Sequence, residues 1–419
     1  MKPQPGEQYT VVKGDTLWDI AGSAYGNPRK WKIIYNTNKG ILRDPKIYPN
    51  TVVLIYPGEI LNIPLDGDKE KLKRELDQEN ETEKEENLRF IINGKEVNVI
   101  SGRCTLCLDT LSDGFSFSVD AKNAPKIKPF GYEECEVYLD DIKLIDGVIY
   151  NGDTESSAKS EIVNVTGYAK SKDIVDSNPE PPFVFREKTL KQICESLCEL
   201  YGRTIKDNVN DSYKFKKSKI ERQEKISEFL VKLAKQRQVL LRSNSIGEIE
   251  ITRANTESEP ILFIDDESEL AEPIKFSYNG EKRFSKYIAL GKNPKRNNKG
   301  VFKDPNIKRY RVYSDKADES TPDEIKKPAD WACRQAQAES VTVSFSVSGF
   351  YNDKKEPIRE NNIVSIERET LFMIPGTDLL ISSVEYEQEK DSKLTKINCV
   401  LPEIYTNKKV DENWKTLGQ

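Results

Sequence analysis

The chain has 419 residues, is 32% charged and 36% hydrophobic, carries a formal net charge of −5 and contains no histidine. The missing imidazole removes Ser-His-Asp and Cys-His catalysis and the usual histidine-ligated zinc hydrolases, while a glycosidase, which needs only two carboxylates, survives. The acidic balance offers no basic domain to a nucleic acid, and no apolar run reaches the ~18–20 residues that span a bilayer.

The first eight residues, "MKPQPGEQ", have no apolar core, which predicts a chain without a cleaved export signal. Residues 8–64 then read as a small strand, helix, helix, strand unit. "QYTVV" is a short strand and "KGD" a turn. Thr16 is the expected N-cap of a helix through Leu17, Ile20, Ala21 and Ala24 that stops at Gly26. Asn27-Pro28 opens a second helix with Trp31, Ile34 and Tyr35 at helical spacing, and "YPGEILNIP" brings the chain back as a strand.

Residues 65–87, almost all charged or amide, cannot bury a core and read as a solvated linker. From Leu88 the period changes to two. "LRFIINGKEVN" carries a hairpin signal at Asn93-Gly94, and "FSFSVDA", "CEVYLDD", "IKLIDGVIYNGD" and "SEIVNVTGYA" alternate, which predicts an antiparallel β domain over 88–182 closed by "NPEPPF".

Residues 183–256 predict an α+β insert. One helix runs from Thr189 to Gly202 with Leu190, Ile193, Cys194, Leu197, Cys198 and Tyr201 on one face. A second carries Ile226, Phe229, Leu230, Leu233 and Ala234. A hairpin follows, turning at Asn244 to Gly247. Residues 257–405 return to strands, interrupted by one helix at about Pro328 to Ala338, and 406–419 form a C-terminal tail. The stretch 292–310, "NPKRNNKGVFKDPNIKRY" preceded by a lysine, is basic and Asn-rich. It reads as an exposed loop, since no Gly-rich cradle or stacking pattern accompanies it.

Seven cysteines, an odd number, favour a reduced compartment. Cys104 and Cys107 form a CxxC inside "GRCTLCLDTL", where strand alternation sends the two thiols to opposite faces. No second CxxC or histidine completes a zinc site, so they read as core residues, as do Cys194 and Cys198. No nucleotide, metalloprotease, calcium or hydrolase motif is present, and no catalytic, cofactor or metal residue is expected.

Two resemblances give these segments a meaning. "YTVVKGDTLWDIAGSAYGNPRKWKIIYNTN…YPGEILNIP" resembles a LysM domain along its length, in Tyr9, Gly14-Asp15-Thr16-Leu17, Ile20-Ala21, Tyr25-Gly26, Trp31, Ile34-Tyr35, Asn38, Pro57-Gly58 and Ile63-Pro64. The resemblance implies a βααβ fold and a groove for N-acetylglucosamine-containing glycans such as peptidoglycan. Gly14, Asp15, Thr16 and Leu17 stand on one side of it, and Ile47, Pro49, Ile55 and Pro57 are candidates on the other. The second loop is longer than usual and holds "IYP" twice, at 47–49 and 55–57, so either copy can take the family's place. LysM folds also dock to protein inside tail baseplates.

The order β domain, "LKQICESLCELYG" helix, "LVKLAKQRQVLLRSNSIGEIEITRA", "FSKYIALGK" and a helix into "SVTVSFSVSGF" is similar to the baseplate hub proteins of contractile phage tails, the Mu-like and late-control type. The resemblance covers about 88–405. It implies a multidomain, mainly β chain of tube-like antiparallel β-barrel domains around an α+β insert. It also implies a homotrimer whose pseudo-sixfold ring joins the tail tube protein to the spike protein among other baseplate subunits. The expected reading is therefore a non-enzymatic hub of a contractile particle, assembled in the host cytoplasm. Its LysM module serves baseplate docking or peptidoglycan contact. The alternatives are a LysM-anchored cell-wall glycosidase and a non-enzymatic peptidoglycan-binding protein.

Overall fold

The computed structural model describes residues 2–26, 28–43, 47–48, 52–53, 55–64, 86–121, 132–157, 161–291, 299–316, 322–368, 377–406 and 408. The linker expected at 65–87 lies outside them except for Glu86 and Asn87, as do 292–298 of the basic stretch and nearly all of the tail. The chain divides into two units, Met1–Glu85 and Glu86–Gln419.

In the first unit, strand Gln8–Thr10 pairs antiparallel with Ile60–Asn62, Tyr9 opposite Leu61. Helix Leu17–Tyr25 begins where Thr16, in extended conformation, accepts the Asp19 N–H on its hydroxyl. It ends at Gly26, whose φ of 68° is left-handed. A 3-10 turn, Pro28–Lys30, leads into helix Trp31–Asn38. Leu17, Ile20, Ala21, Trp31, Ile34, Tyr35, Leu61 and Ile63 make the core. Asn38, fully buried, ties the second helix to the last strand. Its amide donates to the carbonyls of Ile34 (2.7 Å) and Asn62 (2.8 Å), and its side-chain oxygen accepts from the Asn62 N–H (2.8 Å). The order β, α, α, β is that of the sequence reading, with one addition. The long second loop holds a hairpin, Ile47–Tyr48 against Val52–Val53.

The second unit is built on a 13-stranded sheet. Asn93 (φ 49°) and Gly94 (φ 75°) make the tight turn between Leu88–Ile92 and Lys95–Val97, as Asn-Gly predicts. The strands Ser101–Cys107, Gly114–Asp120, Glu161–Ala169, Ile142–Ser156, Glu134–Leu139 and Leu88–Ile92 follow one another across the sheet. Alternation along Gly114–Asp120 buries every second side chain, Phe115, Phe117 and Val119.

The C-terminal β segment joins this sheet edge to edge. Strand Thr377–Glu389 pairs on one side with Ser392–Val400 along its length. On its other side the first residues, Thr377 to Leu380, meet Ile363–Glu367. The later ones, Ser383 to Gln388, meet Ser101–Cys107, with Tyr386 opposite Cys104. Ser392–Val400 pairs with Val341–Ser348, which pairs with Glu272–Tyr278. One apolar cluster runs through both segments, from Phe90, Cys104 and Val137 to Val343, Tyr386 and Ile397. Joining edges satisfies two rows of backbone groups that would otherwise be exposed.

Between the two β segments lies the insert. Helix Leu190–Cys198 starts on a capping box in which Thr189 and Gln192 exchange side-chain to backbone hydrogen bonds. Helix Ile226–Gln236 packs with it over Ile193, Cys194, Cys198, Phe229, Leu230 and Leu233, and hairpin Leu240–Ser243 with Ile249–Thr252 completes the layer.

A smaller module interrupts the second β segment. Strand Lys286–Leu290 is central, antiparallel to Lys299–Lys303 and parallel to Val312–Lys316. Helix Pro322–Ala338 covers one face. The helix starts ahead of Pro328, where the sequence suggested its beginning. Proline inside a helix forfeits one hydrogen bond, and burial of Ile325, Ala329 and Cys333 against Tyr287 and Ala289 holds the helix through it. Lys299–Lys303 also turns part of the expected basic loop into strand.

Candidate binding groove and the buried ionic joint

The first-strand turn of the small unit is fixed by Asp15. Its carboxylate accepts from the Tyr9 hydroxyl (2.8 Å) and the Val12 N–H (2.9 Å), and its own N–H donates to the Val12 carbonyl (3.2 Å). Gly14 sits in this turn at φ 100°, a conformation that a side chain would strain. The Asp15 contact, with burial second, raises the Tyr9 phenol above its usual range. Thr16 spends its hydroxyl on Asp19, accepting from the N–H and donating to the carboxylate (2.7 Å).

Leu17 does not stand beside these residues as a surface. At 3% exposure it belongs to the core, because the first inward position of the helix falls there. The apolar side chains this region exposes are Val12 (56%) and Trp18 (49%). The sequence reading passed over both because it followed the family motif.

The second loop is organised by Glu59, 7% exposed, whose carboxylate accepts from the Tyr56 N–H (2.8 Å) and the Arg43 N–H (3.0 Å). The Gly58 N–H donates to the Val11 carbonyl and the Val11 N–H to the Glu59 carbonyl, both at 2.8 Å. This pins the second IYP copy beside the first-strand turn. Ile55 is half-buried against the core, and Tyr56 and Pro57 are exposed. The first copy lies elsewhere: Ile47 is in the extra hairpin, opposite Val53, and Pro49 lies outside the described residues. The geometry thus brings Gly14, Asp15 and Thr16 to the neighbourhood of Ile55 and Pro57.

In the large unit a buried ionic cluster sits where three segments meet. Arg242, on the insert hairpin, donates to Glu250 (2.8 Å) on the paired strand and to Glu360 (2.8 Å) in the second β segment. Arg359 reaches the same Glu360 oxygen at 3.5 Å. Asp113, from the first β segment, accepts the Cys107 N–H (2.9 Å). Burial, and then the nearby Glu360 charge, push the Asp113 carboxyl up to about 8, which favours its protonated form near neutral pH. Burial opposes ionisation of Glu250 too, but the Arg242 hydrogen bond and charge hold it below the usual range. Around the cluster, Leu108, Ile363 and Leu380 pack with Leu240 and Ala254. The Asn361 side chain accepts the Asn255 N–H (2.8 Å). These groups lock the insert to the sheet. Their spacing of more than a hundred residues leaves no local signal in the sequence.

Six of the seven cysteines are buried. Cys104 and Cys107 sit on one strand with Cys104 buried and Cys107 half-exposed, as alternation requires. Burial raises the Cys107 thiol to about 11 and Cys198 to about 12, far from a reactive thiolate. A cavity of about 140 Å³ lies between helix Ile226–Gln236, Trp331 and Gln335 of the later helix, and Ile404–Tyr405. It is well below the ~300 Å³ at which small-molecule sites begin.

Comparison with known proteins bears on both units. Residues 171–253 match the family described as baseplate hub protein gp44-like, second domain, and residues 9–64 match the LysM domain. The chain is 26% identical over 256 residues to the baseplate hub protein gp44 of Escherichia phage Mu. That alignment takes in 57% of this chain and 66% of the Mu protein, just under two thirds of its length. Among solved structures, the 43 kDa tail protein of prophage MuSo2 from Shewanella oneidensis superposes with a TM-score of 0.67 at 23% identity, over 76% of this chain and 98% of that one. A tail protein from Neisseria meningitidis gives 0.67 at 16% identity, over 76% and 97%.

Proposed function

We propose how this chain, a gp44-like baseplate hub protein with a LysM domain ahead of the hub, does its work. Three copies close into a ring that seats the tail tube on one side and the central spike on the other. The carrying observation is the edge-to-edge sheet. Each copy holds two β segments in one continuous surface, so three copies supply six segments for a six-fold tube while keeping three-fold symmetry for a spike. Among the described residues, the terminal strands Glu272–Tyr278 and Lys95–Val97 each pair on one side only. Such edges invite pairing and favour ring closure between copies.

The role is structural rather than enzymatic. The buried acids Asp113 and Glu360 serve the joint, Glu360 held by Arg242 and Arg359 and Asp113 by the Cys107 N–H. The chain is made in the host cytoplasm and leaves it within the tail.

The LysM unit gives the chain a contact of its own. Its groove, Gly14, Asp15 and Thr16 against Ile55 and Pro57, takes either an N-acetylglucosamine glycan of the wall or a loop of a neighbouring baseplate subunit. Pelleting the chain with purified peptidoglycan separates the two: a chain that leaves the supernatant with the pellet supports wall contact, and a chain that stays in the supernatant favours baseplate docking. The hub role is tested by deleting the gene. Tubes that no longer carry a spike are expected, and complete tails without this chain would overturn the role.

A further inference from the structure

The three-stranded module in the second β segment has two unlike faces. Tyr287, Phe302 and Tyr313 lie in register on one face, followed by Ala289, Gly300 and Asp315. This face meets helix Pro322–Ala338, so closely that a Cβ on Gly300 would stand 2.3 Å from the Ile325 carbonyl oxygen.

The opposite face carries, in register, Lys286 with Lys303 and Val312, Ile288 with Val301 and Ser314, and Leu290 with Lys299 and Lys316. Leu290 is 45% and Val312 37% exposed, and Lys299, Lys303, Ser314 and Lys316 are exposed as well. None of the four lysines makes an ion pair with a described residue. The only acid in these strands, Asp315, falls in the helix-side register. The chain as a whole is acidic, at −5, yet it gathers here four cations that have no ion-pair partner among the described residues. Lys286 directly opposes Lys303, an arrangement that costs stability in an isolated sheet.

We propose that this face is a docking surface for a protein partner whose contact patch is apolar at its centre and ringed by carboxylates. Ile288 on the central strand, with Val301 beside it and Leu290 after it, forms an apolar strip, and Lys286, Lys299, Lys303 and Lys316 stand at its two ends, an apolar core with a polar rim as in a protein interface. A second copy of the same face is excluded by like charge. A nucleic acid would have no use for the aliphatic centre, and the face offers no aromatic side chain on which bases stack. The lysines set the partner's sign and orientation, and the aliphatic centre holds it.

The test is photo-crosslinking in cells that produce the particle, with Ser314→p-benzoylphenylalanine and, as a second position, Leu290→p-benzoylphenylalanine. Leu200→p-benzoylphenylalanine on the insert serves as control. The expected result is an adduct from 314 and 290, absent from 200, that maps to a segment mixing acidic and apolar residues in another protein. Adding Lys299→Glu with Lys303→Glu should cut its yield about ten-fold while the circular dichroism melt stays in place. An adduct with nucleic acid or with a second copy, no adduct at either position, or a yield indifferent to charge reversal overturns the proposal. Co-sedimentation of the chain with particles is scored separately. A chain inside particles without an adduct sinks this proposal alone, and an adduct formed by a chain outside them sinks the hub role alone.

Discussion

Arg242 donates to Glu360 at 2.8 Å across the boundary between the insert and the second β segment. Glu360 is 8% exposed, and its other carboxylate oxygen, also buried, has no hydrogen-bond partner among the described residues. Removing the guanidinium leaves this charge buried and under-compensated. Arg242→Ala should therefore destabilise the docking of the insert by about 3 kcal/mol, near the low end for a broken buried pair because Arg242 keeps some solvent contact. Hydrogen exchange should quicken first in Leu240–Ser243 and Ile249–Thr252. Arg242→Met with Glu250→Gln and Glu360→Gln, which neutralises both buried partners of the guanidinium, should recover more than half of the loss, and a triple variant no better than the single one would contradict this reading of the joint.

Asp113 gives the joint a pH dependence of unusual sign. Its folded carboxyl titrates at about 8, against an ordinary 3.8. Between those values the folded state holds a proton that the unfolded state has released. The contribution of this group to stability therefore falls as pH rises across that window and is lowest above it. Asp113→Asn should match the wild type near about pH 4 and gain on it by a few kcal/mol near about pH 9. Melting curves at the two pH values decide it, and a constant difference would show that Asp113 ionises normally.

Gly300 lies under the helix of the small module, its virtual Cβ 2.3 Å from the Ile325 carbonyl oxygen and 2.5 Å from Lys326 Cα. These are backbone atoms and cannot swing aside. Gly300→Val should cost about 1–3 kcal/mol and open Lys299–Lys303 to protease before the main sheet. Wild-type resistance would contradict the packing.

In the LysM unit, Asp15 holds the turn through Tyr9 and Val12. Residues 1–64, which have their own core, should show amide shifts at Gly14, Asp15, Thr16 and Ile55 when titrated with an N-acetylglucosamine oligomer, and Asp15→Ala should weaken binding about ten-fold. Shifts confined to Ile47 and its neighbours would move the groove to the first IYP copy.

Where local chemistry decides an element, the sequence is a good guide. Thr16 and Gly26 bracket the first helix, Asn93-Gly94 makes its hairpin, Thr189 caps the insert helix, and alternation around Cys104 sets its face. The LysM and hub types were legible from short phrases of this kind. What was not legible depends on distant partners. Strand Thr377–Glu389 divides one edge between two neighbours, and Asp113 meets the Arg242–Glu360 pair only once the chain is folded. Leu17 shows the converse. A family motif placed it at the groove, while its helical position sends it to the core.

The central claim is the three-membered ring. Light scattering behind a sizing column, on the full chain of 47.9 kDa, tests it most directly. A mass of about 144 kDa, three times that value, is expected, with no larger species, as closed three-fold symmetry requires. A mass near a single chain at every concentration, alone and with the spike protein added, would contradict it.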